Sequence, residues 1–129
     1  MKRVIPIFQA LIESDPEGLH HRYRGQLGYA LKDQPGAAWE QADAALTKAI
    51  ELRGPPQKGW VLYEFNRALC RIAMSRRPAG VRGANDPLRQ SILSDLTMAI
   101  KGGMKTNVLS DPTVREWAQD NSVEVDKLA

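Results

Sequence analysis

The chain contains a single cysteine, Cys70, and two histidines, His20 and His21, and these shortages remove most metal and redox chemistry at the outset. A lone thiol forms no internal disulfide, so nothing directs the chain to an oxidising compartment, and the cytoplasm is the expected location. His20 and His21 are neighbours, about 100° apart on a helix, and do not face one ion together. No H-E-x-x-H spacing occurs, and Gly54-Pro55-Pro56-Gln57-Lys58-Gly59 lacks the order of a phosphate-binding loop. Long apolar runs are missing as well. The start, Met1 to Phe8, imitates a signal peptide, but Gln9, Glu13, Asp15 and Glu17 break the run with no small-residue cleavage site. No stretch approaches the roughly 20 apolar residues that span a bilayer, so no membrane insertion is expected. Aromatic residues make up 6% of the chain and the net charge is only +3.

What remains is Ala, Leu, Ile and Val at helical spacing within 129 residues, the size of one domain. Val4, Phe8, Leu11 and Ile12 mark a first helix, and Ser14-Asp15-Pro16-Glu17 offers both a capping box and a helix-starting proline. Leu19, Tyr23, Leu27, Ala30 and Leu31 share the face of a second helix, closed by Asp33-Gln34-Pro35-Gly36. Trp39, Ala42, Leu46, Ala49 and Ile50 define a third, which Gly54-Pro55-Pro56 stops. A fourth runs from about Lys58 to Ser75, with Trp60, Phe65, Ala68, Leu69 and Ile72 inward. Residues 76–85 lack apolar periodicity and are read as a loop. Asp86-Pro87 opens a fifth helix through Leu88, Ile92, Leu96, Ala99 and Ile100, and Gly102-Gly103 is expected to end it. Asp111-Pro112 opens a short last helix, with Thr113 and Glu116 as its expected capping box. Ser122 to Asp126 alternates, fitting either a short strand or a frayed helical turn. The class is all-α, with short turns setting consecutive helices antiparallel.

The two hairpins match each other. Ala42-x3-Leu46-x2-Ala49-Ile50 corresponds to Ile92-x3-Leu96-x2-Ala99-Ile100, each near the end of its hairpin's second helix. With Leu27-Gly28 before the first and Pro55 after it, this pattern resembles the tetratricopeptide repeat over about residues 20–101. Tyr63 to Leu69 looks like the first helix of such a repeat, with Ala68 at the small-residue position. Arg24 stands where the family has an aromatic, Leu31 where it has tyrosine, and residues 76–85 interrupt the period. The resemblance implies a short α-solenoid of stacked antiparallel hairpins: an N-terminal helix at 1–15, hairpins at 18–54 and 58–102, and a C-terminal cap at 111–128. The competing reading is a generic helical bundle in which this spacing is ordinary core packing.

In that family the first helices of successive hairpins line a groove that holds a peptide or helix of a partner protein. The implied contacts are Arg22, Gln26, Tyr29 and Lys32 in the first hairpin and Phe65, Asn66 and Leu69 in the second. Asn66-Arg67-Ala68 resembles part of a clamp for a peptide carboxylate, although Gly25 and Tyr29 replace its other members. A structural hydrogen bond between helices accounts for Asn66 equally well. The expected role is therefore an adaptor or regulatory module for an unidentified protein or peptide, with no catalytic residue, cofactor or metal. The alternative is a helical inhibitor or self-associating structural protein that uses its loop and outer face, and because two repeats bury little area, association of their ends into a homodimer is also expected. Arg71, Arg76, Arg77, Arg82 and Arg89 gather positive charge around the long loop, but without interleaved aromatics they make nucleic acid a minor alternative.

Overall fold

A computed structural model of the chain describes residues 4–14, 21–34, 36, 38–55, 61–75 and 87–128. They are helical with no strand among them, and no helix among them is long and apolar enough to cross a membrane. The chain divides into two compact units, Met1–Pro55 and Pro56–Ala129.

In the first unit, α1 (Val4–Glu13) packs on α2 (His21–Asp33), which packs on α3 (Trp39–Arg53). Pro6 lies in the first turn of α1, where a missing N–H breaks no helical bond. The approach of α2 to α3 depends on Gly28, since a Cβ placed there would stand 2.7 Å from Leu46 Cγ and 3.4 Å from the Ala42 carbonyl oxygen. The Ala38 amide closes the turn by donating to the Leu31 carbonyl at 3.1 Å. Gly54 ends α3 with φ 82° and ψ −151°, a conformation essentially confined to glycine, and its N–H donates to the Ile50 carbonyl. Ser14 is described, but the rest of the proposed cap at Ser14 to Glu17 lies outside the described residues.

The second unit is built on α4 (Leu62–Ser75) and α5 (Pro87–Ala99), which pack together. Four successive residues of α4, Tyr63 to Asn66, are buried, while Leu62 before them is 42% exposed. Phe65, Ala68 and Ile72 meet Ile92, Leu96 and Ala99 in one core with Val108, Val114 and Trp117. Lys58, Trp60 and the 76–85 loop lie outside the described residues.

Two local expectations are corrected. Gly102-Gly103 does not end the fifth helix. The helical path widens into a π-type turn, Ile100–Met104, kinks at Gly103 with φ 102°, and continues as α6 (Lys105–Ser110). Gly102 is needed there because a Cβ would overlap both γ-methyls of Val61, which is itself 1% exposed. The cap of α7 (Pro112–Asp120) is Asp111 instead of Thr113: its carboxylate accepts from the Val114 N–H at 3.0 Å, and Pro112 occupies the first turn. The alternating tail forms no strand. A 3-10 turn, Val125–Lys127, brings Val125 into the core with Val123 packed beside it.

Candidate functional site

Helix α2 presents two different faces. At about 100° per residue, Arg22, Gln26 and Tyr29 fall on one side of the helix, and Arg24, Leu27 and Leu31 on the other. Arg22 and Gln26 are exposed and Tyr29 is half-buried. Lys32 lies toward the edge of that face, its ammonium 2.6 Å from the Asp33 carboxylate. At the start of α2, partial burial and the neighbouring cations Arg22 and Arg53 hold the His21 imidazole below its usual range. His20 lies outside the described residues.

The opposite side of α2 is the floor of an open groove of about 330 Å3, lined by Arg24, Leu27 and Leu31, with Gln9 of α1 on one flank and Gln41, Ala44 and Ala45 of α3 on the other. The sequence reading placed the contacts of α2 on the other face. It lacked the positions of α1 and α3, which create the concavity.

The second hairpin's expected contacts have structural duties. Phe65 belongs to the unit's core, with Leu69 packed against it. Asn66 is 9% exposed, and its amide donates to the Leu62 carbonyl at 2.9 Å, one turn back along its own helix. Cys70 is wholly buried.

Sequence reasoning missed the main polar feature of this unit. Asp95 of α5, 3% exposed, receives a two-pronged bond from Arg67 of α4, Nε to Oδ2 at 2.8 Å and Nη2 to Oδ1 at 2.7 Å. Arg71 reaches the same carboxylate at 3.4 Å. Glu64, Arg67 and Arg71 recur three and four residues apart, so α4 sets a charged stripe beside Asp95. Burial pushes the Asp95 carboxyl above its ordinary range, Arg67 and Arg71 pull against it, and Glu64 adds to the push. The signal was a lone acid inside the apolar stripe Ile92, Leu96, Ala99, facing arginines at helical spacing on the preceding helix. Bonded to Asp95, Arg71 leaves the set of loop cations offered for phosphate, and Arg89 donates to the Asn121 carbonyl at 3.1 Å. Arg76, Arg77 and Arg82 lie outside the described residues.

A second concavity of about 430 Å3 is bounded by Val108 and Leu109 of α6, Val114 and Ala118 of α7, and Val123 and Val125 of the tail, with Arg115, Glu124 and Asp126 at its rim. No group of three or more His, Cys, Asp or Glu side chains placed to hold a metal occurs among the described residues. No protein-family model matches the chain, and neither does any curated protein or solved structure.

Proposed function

We propose that this chain is a tetratricopeptide-like interaction module that holds a peptide or helix of a partner protein against the exposed face of α2. The observation that carries the reading is the shared burial of the repeated spacing. Ala42, Leu46 and Ala49 in one hairpin, and Ile92, Leu96 and Ala99 in the other, are each 0% exposed. Identical spacing with identical burial supports two copies of one helix-pair design. Gly28 supports it too, since helices that meet at a glycine approach closely, and Arg22 and Gln26 on the side of α2 turned from that contact are exposed. Arg22, Gln26, Tyr29 and Lys32 on that side combine an aromatic ring with hydrogen-bonding and charged groups, a composition suited to a protein surface. The single buried thiol fits a cytoplasmic setting.

The test is a photo-crosslinker at position 26 of the full chain, followed by titration of the captured partner. Tyr29→Ala is expected to weaken binding by about tenfold, or about 1.4 kcal/mol. Unchanged affinity in Arg22→Ala, Gln26→Ala and Tyr29→Ala would reject the reading. A second reading is self-association through the outer face, in which Ile7, 57% exposed on α1, would lie in the contact. It requires a dimer by sedimentation that Ile7→Ser dissociates, and a monomer at all concentrations removes it.

A further inference from the structure

The groove on the far side of α2 differs from the face assigned above, and its chemistry is more specific. Leu27 and Leu31 form an apolar floor, and Ala45, a short side chain on α3, leaves the groove open. Gln9, Arg24 and Gln41 supply its polar groups, and among the described residues none of the three has a hydrogen-bond or ion-pair partner within the chain. Arg24 decides the matter. It is half-buried in the groove lining and has no acceptor among the described residues, and the group that best matches a guanidinium is a carboxylate gripped by two parallel N–H bonds. A nucleic-acid backbone fits poorly, because it presents a series of phosphates that call for several cations, and among the described residues Arg24 is the only cation lining the groove.

We propose that this groove docks a segment of another protein that carries an acidic side chain beside apolar ones. The acid meets Arg24, the apolar side chains rest on Leu27, Leu31 and Ala45, and the amides of Gln9 and Gln41 bond the segment's polar groups. Charge complementarity fixes this occupant, since an apolar segment without an acid leaves the Arg24 guanidinium with no acceptor among the described residues. The proposal does not rest on the face of α2 assigned above, so either can fail alone.

A random peptide library displayed on phage and selected against the full chain tests it. The expected peptides pair Asp or Glu with Leu, Ile or Met within one helical turn. A labelled peptide from that set is expected to bind at least about tenfold more weakly to Arg24→Glu and measurably more weakly to the milder Arg24→Gln, and equally well to Lys105→Glu, an exposed cation of the second unit. Selection against Arg24→Glu is expected to enrich Lys or Arg in place of the acid. Circular dichroism melting of each variant separates lost docking from lost folding, and Ala45→Gln, which fills the groove without changing charge, is expected to block the same peptide. Peptides without acidic enrichment, no enriched peptide, or equal losses in Lys105→Glu would overturn the proposal. A change in the sedimentation mass of the unliganded chain on Arg24→Glu would also overturn it, by giving the groove to a second copy.

Discussion

A single added methyl group reports how closely these helices approach. At Gly102 it would strike Val61, a stiff β-branched side chain that is 1% exposed, and at Gly28 it would strike Cγ of Leu46, which is 0% exposed. Neither neighbour is a free chain end able to swing aside. Gly28→Ala and Gly102→Ala are each expected to lower stability by about 1–3 kcal/mol in denaturant titration, despite the better helix propensity of alanine. Asp95 is the second sensitive residue. Asp95→Ala removes the carboxylate that binds both Arg67 and Arg71 and is expected to cost about 3–5 kcal/mol. Because the folded carboxyl is held above 3.8, the folded chain binds its proton more readily than the unfolded one. The stability it contributes is full below that value and falls as pH rises through the folded value. Wild type should therefore gain on Asp95→Asn as pH is lowered from about 7 to about 4. Chemical denaturation across that range measures the slope, and the opposite sign would mean that the arginines outweigh burial.

Among the elements, α7 has the clearest start. Asp111 satisfies the Val114 N–H, and Asp111→Ala is expected to cost about 1 kcal/mol, read as a lower melting temperature with the fold retained. The identities of α1 to α5 and α7 were legible because their apolar residues recur at helical spacing, as Ala42, Leu46 and Ala49 do. Legibility failed where an element depends on a distant partner. Gly102-Gly103 has the local chemistry of a stop, yet Gly102 serves the packing of Val61, far earlier in the chain. Arg71, close to the loop in sequence, was read with the loop cations, whereas Asp95 on the following helix holds it. On α2 the apolar face was legible and the groove was not, since its walls come from α1 and α3.

Over the whole molecule, burial is unevenly distributed. Large wholly buried side chains in the second unit include Ile72, Ile92, Leu96, Val108 and Val114, and the first unit has Leu46. In α1, Ile5, Phe8, Leu11 and Ile12 are only half-buried. Local opening is easiest where few apolar contacts are lost, so amides of α1 should exchange with solvent well before those of α4 and α5. Hydrogen-exchange mass spectrometry reads this ordering directly, and equal protection of α1 and α4 would contradict it. The two-pronged bond between Arg67 and Asp95 also bears on chain length. It fixes α5 beside α4 through side chains, independently of the segment between Ser75 and Pro87. Closing a longer connection costs only about 0.6 kcal/mol per doubling, so added residues between Ser75 and Pro87 are expected to leave the two helices clasped.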